Sequence, residues 1–518
     1  MEKKAIWWIK RDFRLLDNEA FTSALREFDE VLPLFVFETD YIMEPDVSPM
    51  HVWAWQQAVD NLRERCRSLG GDALVSKGNL FKILTNIRKE WKFEAIYSHE
   101  ETGNNWTFQR DLQLIEWCRE NGVKWNESYQ NGVVRRLKNR DYRNSIIKER
   151  LFNPVPFDAP LELKFPQKFQ EVCSSRQIPH LNQFFDLSEH PEIQWDQLQS
   201  VSETQAHHDL ESFLADRGKW YSGGISSPNN AFRAGSRLSV HLAWGTISLR
   251  YVFQRTYQRV AENKKKSAND DTKRWLKSLR AFESRLHWHD HFIQRLESSP
   301  QMEFSSLNRA YEKIIYENDP EKLEAWERGM TGFPMIDACM RCLNATGFMN
   351  FRMRSMLVSF ACFGLHLDWR VIHPHLACIF LDYEPGIHLS QLQMQAGIVG
   401  INTIRVYSPK KQIVDQDPEC IFIKKWIPEL RSFTVDQIVN YESHILAGYP
   451  PPIVDFKEES KKMKDQVFTI RKSIEGKMES KKVLRKHGSR KSPSRTMKKV
   501  STKRETDDQL ELFSRKRE

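Results

Sequence analysis

Two arginines stand out because of what surrounds them. Arg352 and Arg354 lie in a run from Arg328 to Arg370, RGMTGFPMIDACMRCLNATGFMNFRMRSMLVSFACFGLHLDWR, that is otherwise rich in Met, Leu and Phe. A guanidinium on an apolar surface needs an anion, because burying it unpaired is very costly. The partner is an acidic side chain or a ligand phosphate. A second group of residues offers phosphate chemistry more directly. Tyr221 is followed by GSRLSVHLAWGTIS. Gly235 lets the backbone come close to a ligand. Ser236 and Ser239 supply hydroxyls, and Arg237 supplies a forked cation. With Ser236 opening the next helix, free backbone N–H groups would face the same anion. The same residues also read as an N-cap serine beside a surface arginine. No G-x-G-x-x-G loop is present, so a dinucleotide would have to be held by another device of this kind.

Cys339 and Cys342, one helical turn apart in DACMRC, are the close pair among eight cysteines. A zinc or iron–sulfur site needs more ligands nearby. Buried free thiols are therefore expected, and no metal site.

The elements that must position these residues change character along the chain. AIWWI (5–9), VLPLFVFE (31–38), DALVSKG (72–78), FEAIYSHE (93–100) and VKWNESY (123–129) read as strands. Between them lie helix patterns at 52–70, 80–92 and 110–122, two of them ending at glycine. Such alternation predicts a parallel sheet covered on both faces, with ligands at the carboxyl ends of its strands. The loops 10–18 and 99–105 are then candidate linings. Residues 206–455 place apolar groups at three-to-four spacing almost throughout, which predicts helices. The expected architecture is an α/β Rossmann-like domain with a parallel sheet over 1–135, then an interdomain linker over 136–205. A large all-α domain follows over 206–455, and a basic tail over 456–518.

The formal charge is +9, and it is concentrated. Residues 461–500 hold 15 Lys/Arg against 3 Asp/Glu, so the rest of the chain is net negative. The tail, with KKVLRKHGSRKSPSRTMKK, is poor in apolar residues and reads as disordered. It could hold nucleic acid by salt-sensitive phosphate contacts, or act as a solubilising extension. No run of eighteen apolar residues occurs, and the first residues turn charged too soon for a signal peptide. A soluble, monomeric, cytoplasmic protein is expected, nuclear in a eukaryote, with no membrane contact.

Over roughly 4–450 the chain resembles the photolyase/cryptochrome family of FAD-containing, blue-light-dependent proteins. GSRLS resembles that family's T-S-R-L-S motif. TGFPMIDACMRCLNATGFMNFRMR resembles its T-G-Y-P-[IV]-[VI]-D-A-x-M-R-x-L…T-G-W-[MI]-H-[NH]-x-x-R. The resemblance implies that Tyr221, Gly235, Ser236, Arg237, Leu238 and Ser239 contact FAD phosphates. It implies that Arg354 pairs with Asp382 of the D-x-D-like Asp382-Tyr383-Glu384 beside the isoalloxazine, with Glu384 in the same site. His388 falls where photolyases usually place the Asn facing flavin N5, and a His there would be able to titrate. Glu100, Glu101 and Asn104 in HEETGNNW match the region that meets a second, antenna chromophore, folate-type or flavin-type. Arg405, Lys410, Lys411 and Gln412 would line a DNA-facing rim.

Several positions depart from the pattern. The lesion-binding Glu of cyclobutane-dimer photolyases becomes Arg285 or Leu286, depending on register. The lesion-side Asn becomes Phe351, and the adjacent His pair of 6-4 photolyases is absent. Of the three electron-carrying Trp, the middle one is kept as Trp369 and the outermost becomes Tyr316. The flavin-proximal one becomes Leu392, which cannot be oxidised. Tyr383, Trp326 or another aromatic would then supply the electron; Trp326 also fits simple packing. The preferred reading is light-driven repair of UV-damaged DNA by electron transfer from reduced FAD. The alternatives are a cryptochrome-type photosensor with a signalling partner at its C-terminal tail, and a nucleic-acid binder with a structural flavin.

Overall fold

Five strands form one parallel sheet in the order β3-β2-β1-β4-β5. They are β1 (Lys4–Trp8), β2 (Glu30–Phe37), β3 (Leu74–Lys77), β4 (Ala95–His99) and β5 (Lys124–Ser128). The computed structural model describes residues 2–152 and 157–488. Strands buried on both faces need continuous apolar runs, and AIWW and VLPLFVF provide them. Ile6 pairs in register with Leu32 on one side and Ile96 on the other. Trp7 stacks on Phe21 of the first helix at 4.2 Å.

Local chemistry sets the helix ends. Asn18, Asn79 and Asn104 each accept a hydrogen bond from a backbone N–H three residues on, capping helices at Glu19–Glu27, Leu80–Glu90 and Asn105–Asn121. The helix expected from residue 52 begins at Pro49 instead. Ser48 and His51 form a capping box there, and Pro49 is pre-set for the first turn.

The second half is helical. Its 29-residue helix Asp270–Ser298 packs along Leu249–Lys265 and Pro385–Gln395. The two halves are joined by polar contacts. The Leu15 and Leu16 N–H groups donate to Glu203 at 2.8 and 2.9 Å, Arg11 Nη1 donates to Glu384 at 2.9 Å, and Arg250 pairs with Asp17. Gly245 sits where the halves touch. Its φ is +70°, and a Cβ there would lie 1.8 Å from the Arg11 carbonyl oxygen.

Two expectations about the connecting segments need correction. The stretch read as a surface linker over 136–205 is partly core. Leu163, Phe165, Phe169, Cys173, Leu198 and Val201 are buried with the residues of the sheet. The tail read as disordered from 456 forms two helices, Phe456–Lys472 and Ile474–His487. Met463 and Val467, four residues apart, give the first helix an apolar stripe that the lysines around it hide. The remainder of that tail, with DQLELF, lies outside the described residues. All eight cysteines are free thiols, Cys339 and Cys342 buried among them.

Substituting Gly245→Ala should lower the urea unfolding midpoint by an amount equivalent to at least ~2 kcal/mol, from strain plus the clash. An unchanged midpoint would show that the halves need no close approach at this point.

Candidate functional site

A cleft with about 750 Å³ of empty space opens between the helices Phe351–Gly364 and Pro385–Gln395. Its wall is mostly apolar, with Phe351, Val358, Leu376, Phe380 and Leu392, and its polar groups are few. One of them is an ion pair. Arg354 Nη1 and Nη2 donate to the two oxygens of Asp382 at 2.8 and 3.0 Å, a fork-on-fork arrangement. Arg354 Nε donates to the Met349 carbonyl at 2.6 Å, and its guanidinium lies 4.2 Å over the Phe380 ring. Burial alone would raise the Asp382 pKa. The Arg354 charge and hydrogen bond, with a hydrogen bond from Ser239, hold it below the usual carboxylate range.

His388 lies beside this pair, its Nε2 2.9 Å from His373 Nδ1. Burial lowers the His388 pKa first, and the nearby His373 and Arg354 lower it further, to well below the ordinary histidine range. His373 is lowered by the same burial. The expectation of a titrating His388 is therefore corrected: both rings are neutral at physiological pH and share one hydrogen bond.

Behind Ser239 lies the loop 235–238. Arg217 fastens its backbone, donating to the Gly235 and Ser236 carbonyls, and Gln199 donates to the Arg237 carbonyl at 2.7 Å. Neither Arg217 nor Gln199 is visible from sequence as a support of this loop, because each reaches it through main-chain oxygens distant in the chain. Arg237 takes a left-handed φ of 63°, which a bulky residue adopts only when its surroundings impose it. Its guanidinium stacks 3.6 Å from the Phe348 ring centre, and burial pushes its pKa down to about 10, so it stays charged at neutral pH. Its Nη1 is buried without a hydrogen-bond partner. Arg285 bonds the Tyr221 hydroxyl and stacks 4.4 Å over Trp288, and its Nη1 is likewise unpartnered. Two buried, unsatisfied guanidinium groups fit an anionic ligand such as a pyrophosphate, beside an apolar slot that fits a ring. Two details differ from expectation. The helix after the loop starts at Ser239, with Leu238 as its N-cap, so Ser236 does not cap it; Ser236 Oγ accepts only from Leu238 N–H at 3.4 Å. Gly235 is required by its own helix, since a Cβ would sit 2.6 Å from the Ala231 oxygen.

Other anticipated residues fall elsewhere. Glu384 lines the cleft, but its carboxylate is held by Arg11. Trp369 and Trp326 are fully buried, and Tyr316 is half-buried; none of the three is among the described residues lining the cleft. Arg370 stacks on Trp369 at 5.3 Å and acts electrostatically on Tyr316, so those two share one cation. Phe351 is 39% exposed at the cleft, while Asn350 is spent on the Ile225 and Ser226 carbonyls. Of the antenna candidates, Glu101 is paired with Arg110 at 2.6 Å and Asn104 with Asp46 at 2.9 Å. Glu100 faces Arg150 at 3.9 Å. A second, polar cleft of about 1060 Å³ lies at the carboxyl ends of β1 and β5, lined by Arg14, Asp17, Tyr129, Arg150 and Arg250. On the proposed rim, Lys411 is exposed, Arg405 half-buried, Lys410 bonded to Asn440 at 2.9 Å, and Gln412 buried.

A parallel α/β sheet is joined to a helical unit that holds an apolar cleft with arginines beside it. Residues 282–469 match the family model described as the FAD binding domain of DNA photolyase, and residues 5–141 match the DNA photolyase model. A deoxyribodipyrimidine photo-lyase from Vibrio cholerae is 25% identical over 87% of this chain and 96% of its own length. A cryptochrome DASH from Synechocystis is 25% identical over 87% and 95%. The crystal structure of an archaeal photolyase from Sulfolobus tokodaii, described with two FAD molecules, has a TM-score of 0.72 and 28% identity, covering 90% of this chain and 100% of that one. The chain belongs to the photolyase/cryptochrome family.

Stability should carry the signature of the two neutral histidines. Each takes up a proton on unfolding below about pH 6.5 but not in the fold. The unfolded chain then binds more protons, so stability falls as pH drops below that value and is level above it. Replacing His388→Asn should flatten the slope between about pH 6.5 and 5 by up to ~1.4 kcal/mol per pH unit. An identical slope in urea titrations would contradict the neutral assignment.

Proposed function

We propose that this chain is an FAD-dependent, blue-light-driven electron donor to UV-damaged pyrimidines in DNA, a photolyase-type lyase. The observation that carries the reading is the Arg354–Asp382 pair, set with neutral His388 in an apolar cleft beside the buried cations Arg237 and Arg285. Bound there, FAD supplies light-driven one-electron chemistry. The residues do the rest. Arg237, Ser236, Ser239 and Tyr221, with Arg285 behind it, would hold the phosphates. Arg354 offers a fixed positive charge where negative charge gathers on the ring, and Asp382 keeps that charge oriented. His373 holds the His388 ring in place, so its neutral edge presents a defined hydrogen-bonding group. Phe351 at the open end would stack on a flipped base but offers it no hydrogen bond. Lys411 and Arg405 would meet the phosphate backbone without reading its sequence. The polar cleft over β1 and β5 is the proposed seat of an antenna chromophore; the Sulfolobus tokodaii relative is described with a second FAD as a light-harvesting cofactor.

One observation favours a second reading. Of the two residues that fall where a lesion-binding carboxylate would stand, Arg285 is turned to Tyr221 and carries the wrong charge for that role, and Leu286 carries none. A photosensor without repair activity needs no such carboxylate.

Repair turnover separates the two. With the flavin chemically reduced, single- and double-stranded oligonucleotides bearing a cyclobutane dimer or a 6-4 product are illuminated or kept dark, and restored bases are counted. Light-dependent restoration of either lesion is the expected result. No restoration of either, at full flavin occupancy, would leave the photosensor. Arg354→Ala and Asp382→Asn should each cut FAD retention at least tenfold and destabilise the fold by about 3 kcal/mol, since each strands a buried charge or its partner. Undiminished flavin content in the purified variants would sink their assigned roles.

A further inference from the structure

Leu392 lines the cleft where the proximal electron carrier would be expected, and Trp369 does not reach the cleft wall. The rings that do reach it lead in another direction. Tyr383 lines the cleft and is 2% exposed. Its ring stacks on His51 at 5.7 Å with an interplanar angle of 14°. His51 lies 5.5 Å from Trp244, and Trp244 lies 5.6 Å from Trp55. Trp55 stacks on Tyr41 at 6.0 Å, and Tyr41 stacks on Trp106 at 4.8 Å. The series begins in the flavin cleft, crosses the contact between the two halves, and ends at a half-exposed tryptophan on the α/β domain.

Resting on the flavin assignment above, we infer that Tyr383, Trp244, Trp55 and Trp106 form the electron supply line to the cleft, with His51 and Tyr41 as packed bridges. Their chemistry suits the task. Tyrosine gives up an electron readily only when its proton has somewhere to go. The Tyr383 hydroxyl donates to Asp46 Oδ2 at 2.7 Å. Asp46 is 5% exposed, and its other oxygen, Oδ1, has no hydrogen-bond partner. Asp46 is thus a buried carboxylate placed as the proton acceptor. His51 keeps one tautomer, since its Nδ1 faces the Ser48 N–H at 3.3 Å and its Nε2 faces the Phe380 carbonyl at 3.0 Å. A neutral imidazole there fills the gap between Tyr383 and Trp244 without trapping charge. Arg11 lies 4.7 Å over Trp244 and opposes positive charge on that ring. That opposition is offset by the Glu384 and Glu101 carboxylates paired with Arg11.

The electrons and protons balance as follows. Tyr383 passes one electron to the photoexcited, oxidised flavin ring and its phenolic proton to Asp46. Trp244 then returns an electron to Tyr383, and Asp46 returns the proton. Trp55 refills Trp244, and Trp106 refills Trp55 across the packed Tyr41 ring, which keeps its proton. A thiol in solution finally reduces Trp106, losing one electron and one proton to become a thiyl radical.

The test uses full-length, FAD-loaded protein under blue light with a thiol reductant. Tyr383→Phe, Trp244→Phe and Trp106→Phe are compared with the parent. Flavin content is read first from the visible spectrum. Light-induced tyrosyl and tryptophanyl radicals are then followed by electron paramagnetic resonance, alongside the rate of flavin photoreduction. Trp106→Phe lies at the half-exposed end, so it keeps the test valid if an inner variant fails to fold. The expected result is full flavin in Trp106→Phe, loss of the long-lived tryptophanyl signal, and photoreduction at least tenfold slower. Radical signals and rates within twofold of the parent in every flavin-loaded variant would overturn the supply line and leave the flavin reading intact, as would a flavin-loaded parent that forms no protein radical. A folded parent that takes up no FAD would overturn the flavin reading, and this inference with it.

Discussion

Arginine does not lose its proton at neutral pH, so a guanidinium folded into the interior must be met by something that stabilises a charge. That constraint organises this molecule. Arg63 is met by Asp72 under the sheet, Arg11 by Glu384 between the halves, and Arg354 by Asp382 in the cleft. A neutral histidine also meets arginine: His291 faces Arg140 at 2.9 Å and Arg295 at 3.4 Å, its pKa driven down by burial and by those same cations, while Arg295 Nε and Nη1 have no hydrogen-bond partner among the described residues. Just as Arg143 and Arg295 keep two nitrogens unpartnered among the described residues, Arg237 and Arg285 each keep one. They stack on Phe348 and Trp288, which eases the charge without satisfying the N–H. On the proposed function a ligand bearing phosphate would complete Arg237 and Arg285, so that proposal rests on charge as well as on shape.

The fold serves that site by holding distant segments against one another. The loop after β1 carries Arg11 to Glu384, and Gly245 allows the main chains of the two halves to approach closely. Trp244 Nε1 donates to the Leu381 carbonyl at 2.8 Å, one residue before Asp382. Within the helical half this bond ties the helix Ser239–Trp244 to the segment that carries Asp382. The same contact places Trp244 between Tyr383 and the aromatic residues of the first domain, so structural support and the proposed electron route share one set of rings.

Much of this could be read from the chain, and the divisions follow physical range. The central strands β1 and β2 were legible because burial on both faces demands uninterrupted apolar runs. Arg354 and Asp382 were legible because their motifs are local and the resemblance carried them. The helices at 456–487 were not, since a narrow apolar stripe of Met463 and Val467 is masked by lysines that lie on the solvent side. Arg217 and Gln199 were invisible as loop supports because each holds that loop by its backbone, which leaves no trace in the loop's residue types. The neutrality of His388 depends on His373, fifteen residues earlier, and on how deeply both are buried. The ring series from Tyr383 to Trp106 joins residues from both domains and has no periodicity in sequence.

The central claim is that buried cations, and not the ring slot alone, select the ligand. The direct measurement compares FAD with riboflavin, which carries the same ring but no phosphate, binding to flavin-stripped protein at fixed ionic strength. Two charge-assisted contacts predict FAD binding about 100-fold tighter or more. Equal affinity for the two would mean that Arg237 and Arg285 do not hold phosphate, and would contradict the account.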